Sequence, residues 1–197
     1  MTGFRLDKGG LIERRQKINF RFNGHQVTGF KGDTIASALM ASGHMLVGRS
    51  FKYHRPRGIM SAGVEEGGAL FNTGDGAARV PNVKGTVTEI SEGLRVYSQN
   101  VFPSPGFDLG AVNGLIAPFI TAGFYYKTFM GPFANTKFWM LCERFIRKAA
   151  GLGQASQEAD TSIYDIANDF CDALVIGSGP AGLTAAAGLA EKGLKVI

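Results

Sequence analysis

A chain of 197 residues is long enough for one full domain and part of a second. Its composition, 45% hydrophobic and 19% charged, is too apolar for a disordered chain and not apolar enough for a polytopic membrane protein. The formal net charge of +5 comes from cations dispersed among acids, and no nucleic-acid motif accompanies them. This pattern favours a solvated or subunit-facing surface over nucleic-acid binding.

The N-terminus and the cysteines indicate a compartment. Met1 to Lys17 is charged throughout and has no apolar stretch of the kind found in targeting signals. The apolar segment Ala111 to Tyr126 is interrupted by glycine and proline, and it is shorter than the roughly 20 residues of a spanning helix. With no export signal and only Cys142 and Cys171, the sequence predicts a cytoplasmic protein without a membrane span.

The first predicted elements are a hairpin and a helix. Residues 17–30 alternate between apolar and polar side chains, and Asn23-Gly24 offers the two positive φ values of a tight type I′ turn. Asp33 or Thr34 can cap a following helix, which Gly43 ends in a left-handed conformation. A hairpin followed by a helix is typical of the start of a β-grasp domain.

The middle of the chain predicts shorter elements. A strand is expected around Ala69–Phe71, and Val83 to Val96 alternates again, with apolar residues at Val87, Ile90, Leu94 and Val96. Residues 102–133 are rich in proline, glycine and aromatic residues, which favours an ordered connector. Asn135 or Thr136 can then cap an amphipathic helix that Gly151 ends.

The C-terminal segment carries a glycine-rich turn between a strand and a helix. Gly177 permits the tight turn, Gly179 allows close approach of a pyrophosphate, and Gly182 allows the helix to pack on the strand. The acidic residue that usually binds the ribose lies about 20 residues further on, after Ile197, so this segment alone should not hold a nucleotide tightly. The predicted cofactor-binding residues are Gly177, Ser178, Gly179, Pro180, Ala181 and Gly182.

Five motifs together resemble the alpha subunit of heterotetrameric sarcosine oxidase. They occur in the family's order along nearly the whole chain and end at the same glycine-rich turn. These motifs are Phe51-Lys-Tyr-His-Arg-Pro-Arg-Gly58, Ser98-Gln-Asn100, Phe107-Asp-Leu-Gly-Ala-Val-Asn113, Gly123-Phe-Tyr-Tyr-Lys-Thr-Phe-Met130 and Arg147-Lys-Ala-Ala-Gly-Leu-Gly153.

The resemblance implies a fold that is α+β and then α/β. Residues 1–100 are expected to form a ferredoxin-like β-grasp domain, residues 101–170 a connector with one amphipathic helix, and residues 171–197 the first βα unit of a Rossmann-like domain. In related oxidases the first domain holds a two-iron cluster with the ligand spacing C-x₄-C-x₂-C. Those positions here are Ser61, Glu66 and Ala69, so we expect no iron–sulfur cluster and no metal.

The resemblance also implies an activity and partners. Such complexes demethylate sarcosine oxidatively to glycine with O₂, release peroxide and pass the one-carbon unit to tetrahydrofolate. The alpha subunit is expected to assemble with beta, gamma and delta subunits, with FMN between alpha and beta. The glycine-rich turn is expected to hold NAD⁺, with FAD as the alternative, and this segment is expected to contain no catalytic residue.

Two other functions stay open. One is an FAD-containing dehydrogenase of the opine or cyanide-producing type, against which the missing cysteines argue. The other is a truncated interaction module without enzymatic activity.

Smaller features also leave alternatives open. His54, with Lys52, Arg55 and Arg57, could form an anion site, although a basic loop that meets another domain or subunit is favoured. Turn or surface positions are expected for His25 and His44, and aromatic packing for Tyr125-Tyr126-Lys127.

Overall fold

The computed structural model describes residues 4–115, 117–119, 140, 142–144, 147 and 151–197. They group into two units, Met1–Asp160 and Thr161–Ile197. Within the described ranges, no helix combines the length and the apolar character needed to cross a membrane. The predicted domain boundaries at residues 100 and 170 stay predictions.

The N-terminal hairpin forms as its alternating pattern predicts. Strand β1 (Glu13–Phe22) pairs antiparallel with β2 (His25–Lys31). Both turn residues have positive φ, 48° at Asn23 and 84° at Gly24, which is the type I′ geometry that matches the twist of the two strands. The alternation directs Phe20, Phe22 and Val27 into the core.

Helix α1 (Ile35–Ala41) follows with the predicted cap and end. The Thr34 side chain accepts a hydrogen bond from the Ser37 amide, and the Ser37 hydroxyl accepts one from the Thr34 amide. This reciprocal pair satisfies two amides that the first helical turn leaves free. Gly43 has φ of +82°, as expected of the residue that ends a helix in the left-handed conformation.

A mixed five-stranded sheet supports this helix. The remaining strands of the first unit are β3 (Gly48–Arg49), β4 (Pro56–Arg57), β5 (Leu70–Thr73), β6 (Val80–Lys84) and β7 (Arg95–Ser98), of which β3 and β4 form a separate hairpin. The order of the sheet is β2-β1-β7-β5-β6, and the pair of β1 and β7 is parallel while its other pairs are antiparallel. Buried residues of α1 and the sheet form one apolar core. Short 3₁₀ helices lie at Gly76–Ala78, Leu109–Gly114 and Ala117–Phe119.

The alternating segment Val83 to Val96 is not one continuous strand. Strand β6 ends at Lys84 and β7 begins at Arg95, with turns between them. Two glycines explain the interruption. A Cβ on Gly85 would lie 2.4 Å from Phe71 Cε2, and Gly93 has φ of +74°. Between these glycines the chain therefore leaves the sheet and turns, and Ile90 of this segment is buried in the core.

The second unit contains helix α2 (Pro180–Ala190) and one short parallel pairing, between Ala173 and Val196. The predicted helix between residues 136 and 151 falls mainly on residues outside the described ranges, as does Tyr125-Tyr126-Lys127.

Candidate functional site

The glycine-rich turn joins a short extended segment to α2. Four amide-to-carbonyl hydrogen bonds connect this segment to the residues around Lys195 and Ile197: Asp172 to Lys195 (2.9 Å), Ala173 to Lys195 (3.3 Å), Val175 to Ile197 (2.7 Å) and Ile197 to Ala173 (3.1 Å). The Asp172 carboxylate also accepts a hydrogen bond from the Lys195 amide, with 2.8 Å between Oδ2 and N. These bonds place the turn at the end of the extended segment, directly before the N-terminus of α2.

Each glycine of the turn has a different steric environment. Gly177 has φ of +111°, which L side chains rarely adopt. A Cβ on Gly182 would lie 2.1 Å from the Gly177 carbonyl oxygen, so the helix approaches the turn closely only because this residue has no side chain. Gly179 has open space around its would-be Cβ and is the N-cap of α2, with φ of −74°.

The helix N-terminus makes this turn a candidate anion site. Pro180 occupies the first turn, where a missing N–H costs little. The amides of Ala181 and Gly182 belong to the first turn of α2, whose amides have no carbonyl partner within the helix. Free amides and the positive end of the helix dipole together favour a phosphate, and the open side of Gly179 leaves room for it. The assignment of residues 177–182 to cofactor binding stays a prediction.

A buried carboxylate organises the loop that follows β4. Glu66 is 2% exposed, and its side chain accepts backbone hydrogen bonds from Met60 (2.6 Å), Ser61 (2.8 Å) and Gly68 (2.6 Å). Burial alone raises the pKa of Glu66, but these hydrogen bonds outweigh it and hold the pKa below its ordinary value. The Ser61 hydroxyl is buried without a partner in the part of the chain that the structure describes.

This role of Glu66 is not deduced from the sequence, where the residue is noted only for its place in the C-x₄-C-x₂-C spacing. The signal in the sequence is the set of glycines around Glu66, namely Gly63, Gly67 and Gly68, because glycines let backbone amides approach a carboxylate closely. The hydrogen bonds form only when the loop folds back on itself.

The basic loop does not gather its charged residues into one anion site. Lys52 and Arg55 each lie over the Tyr53 ring, 4.9 Å from its centroid. His54 faces elsewhere, because its Nδ1 lies 2.6 Å from the buried Asp108 carboxylate. Arg57 lies on β4. The predicted alternative of a docking loop stays a prediction.

His54 and Asp108 join this loop to the segment after β7. Asp108 also accepts amide hydrogen bonds from Phe102 (3.0 Å) and Gly110 (3.2 Å). Arg49 adds a second connection by donating to the carbonyl oxygens of His54 and Pro105. Burial alone raises the pKa of Asp108, but the hydrogen bonds from Phe102, His54 and Gly110 hold the pKa below its ordinary value.

Gly110→Ala is expected to lower the free energy of unfolding by about 1–3 kcal/mol. The new Cβ would lie 2.2 Å from His54 Cε1 and Nδ1, so the imidazole must move away from Asp108. Urea unfolding measures the effect. Gly106→Ala is the matched control, because a Cβ there meets nothing within 4 Å. Equal stability of the two variants would contradict the close packing of His54.

Acid is expected to destabilise the first unit as Glu66 and Asp108 become protonated. The pKa of each carboxyl is lower in the folded than in the unfolded chain, where it is about 4.5 and 3.8. Each group therefore stabilises the fold above its unfolded pKa, and the contribution is lost as the pH falls through the folded pKa. The urea concentration at the unfolding midpoint is measured from pH 7 to pH 3, and it should decrease once the pH is below about 4.5. Glu66→Gln should make this decrease smaller.

His25 and His44 lie near each other without forming a metal site. His44 packs edge-on against Phe22, with ring centroids 5.6 Å apart. Burial, and then the charge of His25, lower the pKa of His44. Within the ranges given above, no three His, Cys, Asp or Glu side chains are grouped so that they could hold a metal ion.

Two family models match the chain. Residues 15–101 match a 2Fe-2S iron-sulfur cluster binding domain, and residues 172–197 match an FAD binding domain. The ferredoxin-like character predicted for the first domain is therefore confirmed, and its sheet is mixed. The second match covers the whole glycine-rich turn.

These matches correct two predictions about cofactors. NAD⁺ is wrong for residues 177–182, because the matched domain is an FAD-binding one. Glycine-rich turns of this type contact the pyrophosphate, which both dinucleotides contain, so the spacing of the glycines alone could not distinguish NAD⁺ from FAD. The prediction of a domain without an iron–sulfur cluster is also contradicted, because the matched family is a cluster-binding one. That prediction depended on cysteine positions, whereas the family match extends over the whole domain.

The donor atoms of the matched range do not include thiolates. The chain has two cysteines, Cys142 and Cys171, and both lie outside residues 15–101. At the predicted ligand positions, Glu66 is engaged by backbone amides and Ala69 has no donor. These residues do not supply the set of thiolates that such clusters take, and we derive no reaction step through a cluster.

Relatives cover the entire chain. Sarcosine oxidase subunit alpha from Rhizobium meliloti (strain 1021) is 52% identical over 198 residues, which is 100% of this chain and 20% of that protein. The subunit of the same name from Corynebacterium sp. (strain U-96) is 30% identical over 189 residues, or 96% and 15%. Among solved structures, L-proline dehydrogenase from P. horikoshii matches with a TM-score of 0.35 and 16% identity, over 47% of this chain and 17% of that chain.

The chain therefore spans about a fifth of the length of the first of these relatives. The similarity extends over 100% of this chain, and the aligned range therefore contains the positions of all five motifs. Over its full length, the chain is thus related to sarcosine oxidase alpha subunits, which confirms the family recognised from its motifs.

Proposed function

We propose that this chain is part of the alpha subunit of a sarcosine-oxidising complex and that residues 177–182 bind the pyrophosphate of FAD. The observation that carries the proposal is the 52% identity over the whole chain to a subunit of that name. The match of residues 172–197 to an FAD binding domain supports the choice of dinucleotide.

The geometry of the turn fits this role. The first-turn amides of Ala181 and Gly182 can donate to phosphate oxygens, and Gly179 presents no side chain on its open side. Because Gly182 has no side chain, α2 can begin close to the Gly177 carbonyl, and its first-turn amides lie beside the turn. When bound, FAD would supply a two-electron acceptor. The residues named here bind and orient it, and we assign no catalytic residue to this chain.

The complex is proposed to demethylate sarcosine oxidatively to glycine. In the overall reaction, sarcosine loses two electrons and O₂ gains them as peroxide, while the methyl carbon passes to tetrahydrofolate at the oxidation level of formaldehyde. Partners are proposed to be beta, gamma and delta subunits, since the chain resembles one subunit of a heterotetramer.

A dehydrogenase of the opine or cyanide-producing type is the second candidate. The observation that favours it is the pair of family matches, a cluster-binding domain followed by an FAD-binding domain. Such an enzyme would pass electrons to an acceptor other than O₂.

The decisive experiment co-expresses a subunit of the relatives' full length with its partner subunits. We expect FAD in the denatured extract by chromatography, and O₂ uptake with sarcosine that yields one peroxide for each glycine. Reduction of an artificial electron acceptor without O₂ uptake would favour the dehydrogenase, and absence of FAD would refute the proposed role of residues 177–182.

A further inference from the structure

A groove lies beside the loop that Glu66 organises. It has a volume of about 490 Å³, which is within the usual range of small-molecule sites. Its walls come from the β3–β4 hairpin, the loop before β5, the residues just after β7 and a segment near residue 151. All of these belong to the first unit.

The lining of the groove combines apolar side chains with bare backbone. Met60 is 78% exposed and Leu152 is 50% exposed, although both are apolar. Gly67 and Gly68 contribute backbone without side chains, and a Cβ on Gly67 would meet nothing within 4 Å. Glycines at such positions allow a flat ligand to approach the backbone closely.

The groove also carries positive charge without a counter-ion. Arg57 lines it and is exposed, and Arg49 contributes to the same wall. The Arg49 guanidinium donates to the carbonyl oxygens of His54 and Pro105, which are neutral. Among the residues that the structure describes, neither arginine pairs with a carboxylate.

Backbone conformation at the groove is also unusual. Asn100, another lining residue, has φ of +53°, and its side-chain amide donates to the Arg49 and Ser50 carbonyl oxygens. Non-glycine residues held at positive φ are concentrated at functional sites. The bonds from Asn100 fix the wall that contains Arg49.

We propose that this groove binds an organic anion with a flat apolar body, whose carboxylate or phosphate pairs with Arg57. The body lies against Met60 and Leu152 over the bare backbone of Gly67 and Gly68. The site is separate from residues 177–182, and it stands whether or not the proposed sarcosine-oxidising function holds.

The test titrates the isotope-labelled chain with three probes: 2-naphthoate, 2-naphthyl phosphate and the neutral 2-naphthamide. We expect the anions to shift the backbone amide resonances of Gly67, Gly68 and Gly151, and to bind about tenfold more tightly than the amide. The anion that binds more tightly shows whether the natural ligand carries a carboxylate or a phosphate. No shift at these glycines with either anion at about 10 mM, a concentration that would reveal binding as weak as millimolar, would overturn the proposal.

Two variants locate the binding. Arg57→Gln should weaken the anions about tenfold and leave the amide unchanged, whereas Arg79→Gln, an exposed arginine outside the groove, should have no effect. Gly67→Leu should abolish binding of all three probes by filling the groove, and Gly106→Leu, also in open space, should not. Equal anion affinity in Arg57→Gln and the unchanged chain would overturn the proposal, even if Gly67→Leu failed to fold.

Discussion

Gly179→Val is expected to weaken FAD binding by about 100-fold or more and to leave the turn folded. Gly179 has φ of −74° and ψ of 170°, an extended conformation that valine adopts readily. A Cβ at this position enters open space and meets nothing within 4 Å among the residues that the structure describes, so the described part of the chain does not oppose the substitution. The same space is where the pyrophosphate is proposed to lie, so the valine displaces the ligand and not the fold.

Two further variants at this turn separate binding from folding. Gly188→Ala, in the middle of α2, also enters open space and should leave FAD affinity unchanged. Gly182→Val places a Cβ 2.1 Å from the Gly177 carbonyl oxygen, so it should disturb the turn itself. Isothermal titration with FAD and circular dichroism, on a subunit of the relatives' full length, measure the two effects. Unchanged affinity in Gly179→Val would place the cofactor elsewhere.

Glu66→Ala is expected to lower the free energy of unfolding of the first unit by about 3 kcal/mol. The substitution leaves the amides of Met60, Ser61 and Gly68 without the buried carboxylate that accepts their hydrogen bonds. Unlike surface ion pairs, this carboxylate is 2% exposed, so water replaces its hydrogen bonds poorly. The melting temperature should fall on the order of 10 °C.

The neighbouring Glu65 provides the control, because it is exposed and Glu65→Ala should change stability by less than about 0.5 kcal/mol. Amide hydrogen exchange at Met60, Ser61 and Gly68 adds a local measurement, and it should become faster in Glu66→Ala. A loop that kept its slow exchange would show that other contacts, and not the Glu66 carboxylate, hold these amides.

Local features of the first unit follow directly from neighbouring residues. The turn at Asn23-Gly24 and the cap at Thr34 depend on interactions within about four residues, which the sequence displays. The alternating segment after Val83 was misleading because its interruption depends on distant contacts. Gly85 lies against Phe71, and no pattern in the sequence reveals that proximity.

The candidate sites differ in the same way. Gly177, Gly179 and Gly182 are adjacent in sequence, so their spacing alone predicts the turn, although it cannot distinguish NAD⁺ from FAD. The family match supplies that distinction. The groove beside Arg57 combines residues from four separate segments, so sequence analysis did not detect it.

Four features are predictable from the sequence: the hairpin, the first helix, the glycine-rich turn and the relationship to sarcosine oxidase alpha subunits. Each depends on residues close together in the chain or on motifs in a fixed order. Only the folded chain shows that Glu66 is a buried acceptor, that His54 binds Asp108 and that Arg57 lies in a groove. His54 and Asp108 are 54 positions apart, and only the folded backbone brings such residues within hydrogen-bonding distance.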